Sequence, residues 1–235
     1  MSPAHRGIVR DALGIGIASG AYALSFGALS TAAGLTLLQT VALSILMFTG
    51  ASQFAMVGVL GAGGSVWAGA ATAALLGTRN ALYGMRLSSL LEGRRPKRAL
   101  AAHFVIDETT AMAIARDSAP VSRFAFWATG IAVFTLWNLG TLIGALATHA
   151  LPDPKVLGFD AAPPAAFLAL LAPRLRAREP IVIALVAGLI ALVCLPLVPA
   201  GIPLLIVAAL VGLYGVFRLP APRGGRRAAP GGESH

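Results

Sequence analysis

Arg79 is the residue whose position is most costly. It lies 15 residues into an apolar stretch that starts at Gly64, and a guanidinium at that depth in a membrane helix needs a carboxylate, backbone carbonyls or water. Two readings fit. It holds a carboxylate, either a substrate's or that of an acid such as Asp160, or it snorkels to the interface from a helix that ends near Tyr83. Other polar side chains also sit in apolar surroundings. Thr49, Ser52 and Gln53 lie in "FTGASQF" at 48–54, Asn80 and Tyr83 lie beside Arg79, and Trp137, Asn138 and Thr141 lie further on.

In "FTGASQF", Gly50 and Ala51 expose the backbone, and glycine weakens a helix by roughly 1 kcal/mol relative to alanine. A local unwinding there would present amides and carbonyls to a ligand, with Gln53 adding donors and an acceptor. The alternative is close packing of small residues, with Gln53 bonded to a neighbouring helix. Further on, Pro163-Pro164 in "FDAAPPAAFLALLAP" at 159–173 forbids a regular helix. Interrupted helices at matching places in two halves point to a transporter binding site. Asp107 and Glu108 stand side by side and are either a proton relay, together with Asp160, or the solvated face of an amphipathic cytoplasmic helix.

Enzyme chemistry finds no support. No P-loop or H-E-x-x-H word occurs, the four histidines are scattered, and the single cysteine, Cys194, allows no disulfide framework. Neither catalysis, nor a cofactor, nor a metal is expected.

The elements that carry these residues are membrane helices. Hydrophobic residues make up 57% and charged ones 11% of the 235 residues, against roughly 25% charged in soluble domains. Apolar runs at 12–33, 36–61, 64–91, 122–150, 159–172, 180–199 and 201–217 predict about seven transmembrane helices, with 99–116 an eighth candidate. The net charge of +9 does not indicate nucleic acid, because the basic residues cluster between apolar runs, as the positive-inside rule dictates. With seven spans and the N-terminus outside, 14 Lys/Arg fall inside and only Arg6, Arg10 and Lys155 outside.

"GALST" at 27–31 and "GALAT" at 144–148 suggest an internal repeat. The expected fold is therefore an all-α polytopic membrane protein of two inverted three-helix repeats plus one added helix, its interrupted helices near the midplane. The transporter domain is 1–217, with halves at about 12–91 and 122–199 and a cytoplasmic linker at 92–121. The tail 218–235, rich in Arg, Gly and Pro, reads as disordered.

"FTGASQFAMVG" at 48–58, "TRNALYGMRLS" at 78–88, "DET" at 107–109 and "GFDAAPPAAFLALLAP" at 158–173 resemble AzlC-type proteins, the large subunits of bacterial branched-chain amino acid exporters (the LIV-E family). The resemblance spans about residues 8–217. It implies proton-coupled secondary export of apolar amino acids across the bacterial inner membrane by a multi-pass protein. It also implies a small AzlD-type membrane partner of about four spans, and allows a homo-oligomer of that heterodimer. The residues expected to bind substrate are Thr49, Gly50, Ser52, Gln53, Arg79, Asn80, Tyr83, Asn138 and Asp160, with Asp107, Glu108 and Asp160 as proton-coupling acids. The competing class is a non-transporting membrane scaffold whose small-residue helices serve assembly. A channel is the third class, without a visible filter motif.

Overall fold

A computed structural model describes residues 3–91, 94–150, 168, 175–199 and 201–218, and these are helical apart from short connections. The helices are α1 (Pro3–Ala32), α2 (Leu37–Leu46), α3 (Ala51–Gly61), α4 (Val66–Leu87), α5 (Arg95–His103), α6 (Asp107–Ile114), α7 (Ala119–Ala150), α8 (Arg178–Cys194) and α9 (Ile202–Arg218). Among the described residues α1 and α7 are long and apolar enough to cross a membrane. At 22 residues, α4 is about 33 Å long and also matches the hydrocarbon thickness, although Arg79 lowers its hydropathy.

Missing side chains bring α1 and α7 together. A methyl group on Gly20 would stand 2.8 Å from the Leu136 carbonyl oxygen, and one on Gly27, Gly140 or Gly144 would collide with the backbone of the facing helix. Gly16 and Gly20, like Gly140 and Gly144, repeat at the four-residue spacing that lets membrane helices touch backbone to backbone. Contacts advance together along both chains, from Ile8 with Ala125, through Gly20 with Leu136, to Gly27 with Thr141. The two helices are therefore parallel. This corrects the expected inverted relation between the first and fourth long spans. "GALST" and "GALAT" match because each begins with a glycine of this seam.

The run 36–61, expected as one span, is instead a hairpin. Thr36 caps α2, accepting from Gln39 N at 3.2 Å while Gln39 Oε1 accepts from Thr36 N at 2.8 Å. The chain breaks at Met47–Gly50 and α3 returns. Its last residue, Gly61, sits against Ala33, within 3.4 Å of the latter's Cβ once a methyl is added. Beyond α4, residues 95–114 form a second hairpin, which replaces the cytoplasmic linker expected at 92–121. Lys97 on α5 shares a pocket with Arg123 at the start of α7. The tip residue Phe104 packs against Gly130 and Phe134 deeper in the bundle. α6 then comes back, so that Met112 clusters with Ile8 and Ala125 and Arg116 reaches Asp11 at 3.7 Å.

The two hairpins enter from opposite ends. α1 with α2–α3 and α4 with α5–α6 thus form successive units of opposite direction, at 3–61 and 66–114 rather than 12–91 and 122–199. Arg6, Arg10, Arg86, Arg94, Arg95, Lys97, Arg98, Arg116 and Arg123 all belong to the end where α1 and α7 begin. The turns at 33–36 and 62–65, at the opposite end, carry no Lys or Arg. The N-terminus therefore shares an end with the 94–98 cluster, a correction to the arrangement that placed them on opposite sides. α8 and α9 pair antiparallel, with Tyr214 donating to Glu179 at 2.8 Å, and Gly201 between them seats against Val59 and Ala68. The expected span 159–172, apart from Leu168, and the expected tail 218–235, apart from Arg218, lie outside the described residues.

Candidate functional site: two hairpin tips and a cavity-facing ion pair

The first tip is set by Gly50 and Gln53. Gly50 adopts φ 60°, ψ −90°, a left-handed conformation with little steric cost only for glycine. Gln53, fully buried, stands at the third position of α3. Its Oε1 accepts from Gly50 N at 3.1 Å and its Nε2 donates to Leu43 O at 3.0 Å. One amide side chain thus satisfies the Gly50 amide at the start of α3, which would otherwise be orphaned in an apolar interior, and adds a second donor to the Leu43 carbonyl near the end of α2, which also accepts from Met47 N at 3.0 Å.

The second tip repeats the device. Ile106 is extended, as its β-branched side chain favours, and its N–H donates to Thr109 Oγ1 at 3.1 Å. Thr109 Oγ1 in turn donates to Phe104 O at 2.7 Å. In both hairpins the third residue of the returning helix therefore ties the tip to the incoming arm.

Arg79, mid-way along α4, bridges the tips. Its Nη1 lies 2.9 Å from Asp107 Oδ2 at the start of α6. Its Nη2 lies 3.5 Å from Thr49 O in the first break, the outer limit of a hydrogen bond. Among the alternatives open to Arg79, the structure supplies a protein carboxylate, Asp107; Asp160 lies outside the described residues, as does the Pro163-Pro164 break. Asp107 and Glu108 belong to the bundle and not to a solvated amphipathic face. Both side chains of the pair are about one-third exposed, at 33% and 35%.

They face a cavity of about 720 Å³ whose walls include Tyr22, Thr49, Gly50, Glu108, Met112 and Trp137. A second cavity, of about 980 Å³, lies toward the end without basic residues and contains Gln39, Asn80 and His103. Phe48 and Thr49 border both. Several polar atoms here are buried without a protein partner: Arg79 Nε, Asp107 Oδ1, Tyr22 Oη and Trp137 Nε1. Around them packs an aromatic cluster, with Tyr22 stacked on Phe54 at 4.5 Å and Phe48 edge-on to Phe134 at 5.1 Å.

Of the residues expected to bind substrate, Thr49, Gly50 and Arg79 line the first cavity and Asn80 the second. Gln53 spends its hydrogen bonds inside the hairpin. Ser52 is buried and faces Gly77 of α4. Tyr83 and Asn138 border neither cavity, and Asn138 Nδ2 donates to Phe134 O of its own helix at 2.8 Å. Sequence reasoning missed Tyr22 as a site residue. Its only sequence signal is one phenol in the apolar word "GAYALSF" at 20–26. Trp137 was noticed among the polar interruptions but not placed in the site.

A family model described as "AzlC protein" matches residues 14–151, which covers α1 to α7 with both hairpins. The inner membrane protein YgaZ of Escherichia coli (strain K12) is 35% identical over 204 residues, covering 82% of each chain. No solved structure matches the chain. Over the segment that builds the ion pair and both hairpin tips, and by its identity to YgaZ, this chain belongs to the AzlC family.

Proposed function

We propose that the protein is the large subunit of a secondary exporter for apolar amino acids in the bacterial inner membrane. One observation carries the reading: two broken helices of opposite entry meet at an ion pair that borders a largely apolar cavity. Half-helix ends facing a central site are how transporters hold charged groups away from water. Membership of the AzlC family and identity to an inner membrane protein support a membrane transport role.

In this reading Arg79 and Asp107 bind substrate and Asp107 and Glu108 move protons, with Asp160 a further acid beyond the described residues. The basic end faces the cytoplasm by the positive-inside rule, so the N-terminus is cytoplasmic. A small AzlD-type membrane partner completes the exporter. The scaffold alternative draws on the small-residue seam, but that seam is consumed within the chain, between α1 and α7.

The test is intracellular valine in cells fed a valine-containing dipeptide. Cells expressing the chain together with a small AzlD-type membrane protein should accumulate less valine than cells with an empty vector. Equal accumulation, with both proteins present in the membrane, rejects the export reading.

A further inference from the structure

We propose that Arg79 and Asp107 are the two halves of one recognition site for a zwitterion, and that substrate binds by exchanging their mutual contact for contacts to its own α-carboxylate and α-ammonium. This rests on the transport reading above and names the chemistry its site requires. The pair is incomplete as it stands. Arg79 offers five donors, of which one meets Asp107 at 2.9 Å, one reaches Thr49 O at 3.5 Å, and Nε has no partner. Asp107 uses Oδ2 and leaves Oδ1 without a partner. Two residues lining the same cavity, Tyr22 and Trp137, carry further buried donors, Oη and Nε1, that are also unmatched.

A purely structural ion pair in an apolar interior closes its remaining hydrogen bonds on the protein, because unmet polar groups there are unfavourable. Here both partners keep unmet atoms and both present a face to a cavity. The α-ammonium and α-carboxylate of an amino acid are joined through a single carbon. One such ligand therefore fits between a guanidinium and a carboxylate that already touch, after a small parting of the two. Ile15, Phe48, Ile106, Val133 and Trp137 then leave an apolar wall for the side chain.

The consequence is selectivity by charge. An amine without a carboxylate leaves Arg79 unpaired, and an acid without an ammonium leaves Asp107 unpaired. A site built to bond a polar group strongly rejects the analogue that lacks it. Isobutylamine and 2-oxoisovalerate, which keep the side chain of valine and lose one charge each, should therefore be excluded.

The experiment measures binding of radiolabelled valine to the full chain in lipid nanodiscs, with whatever small membrane subunit co-purifies, under competition by valine, isobutylamine and 2-oxoisovalerate. Unlabelled valine should compete, and either single-charge analogue should be at least about a hundredfold weaker. Asp107→Asn should bring the preference for valine over 2-oxoisovalerate down toward unity, whereas Asp107→Glu, which keeps the charge, should retain it. Competition by either analogue within about threefold of valine, or an undiminished preference in a well-folded Asp107→Asn variant, overturns the proposal and leaves the transport reading standing. Absence of binding of any amino acid to the wild type overturns the transport reading, and the proposal falls with it.

Discussion

Arg79 Nη1 stands 2.9 Å from Asp107 Oδ2, and this contact joins α4 to the tip of the second hairpin, while Arg79 Nη2 reaches Thr49 O in the first, which enters the bundle from the opposite end. Lys at position 79 keeps the charge but loses the planar fork and most of the donors. Arg79→Lys should therefore weaken export by about tenfold, and Arg79→Ala should nearly abolish it, by leaving Asp107 without its guanidinium partner at the cavity wall. Arg86→Ala, at the exposed last turn of α4, should export like wild type. The readout is intracellular valine, normalised to the membrane level of each variant by blot.

Gln53 calls for a different expectation. Both ends of its amide are occupied within the first hairpin, so Gln53→Leu strands the Gly50 amide in an apolar interior, while the Leu43 carbonyl keeps Met47 N as donor. That unmet group costs about 1–3 kcal/mol. The variant should lose stability first, seen as a lower melting temperature in detergent and a lower membrane level. Normal stability with lost export would instead return Gln53 to the substrate.

The seam between α1 and α7 sorts its glycines sharply. Gly27→Ala and Gly144→Ala place a methyl group into backbone and should sharply reduce assembled protein. Gly14→Ala and Gly58→Ala meet nothing within 4 Å and should be neutral or slightly stabilising, since both lie inside helices, where alanine is favoured by up to about 1 kcal/mol. Size-exclusion profiles of the four variants decide the matter.

Topology offers a fourth expectation. Cysteines introduced singly near position 6 and near position 94, with Cys194 replaced by serine, should be labelled from the same side of the membrane. A cysteine in the 62–65 turn should be labelled from the other side. Labelling of positions 6 and 94 from opposite sides would restore the seven-span arrangement with the N-terminus outside.

Parts of this arrangement are legible in the residues themselves. Gly50 among small polar neighbours marks the first break, and Arg79 marks a charge that needs a partner. Re-entrance is not legible. A run of 26 residues from 36 to 61 has the same hydropathy whether it crosses or turns back, and only the approach of Gly61 to Ala33 decides. The second hairpin is obscured because α5 opens with Arg95, Lys97 and Arg98, which read as a basic cluster between apolar runs. The pairing of Arg79 with Asp107 depends on the fold bringing together residues 28 positions apart, which no local pattern encodes.

The parallel seam also sets a timetable. α1 is complete at Ala32, but its partner helix ends only at Ala150. At roughly 5–20 residues per second of synthesis, α1 waits on the order of ten seconds for the helix that covers its glycines. During that interval both hairpins, with their buried amides and the ion pair, have emerged without the wall that α7 provides. Insertion of this chain therefore includes a stage at which polar tips and bare glycine backbone are open to lipid or to the insertion machinery. Substitutions that slow the arrival of α7 should lower yield without altering the finished transporter.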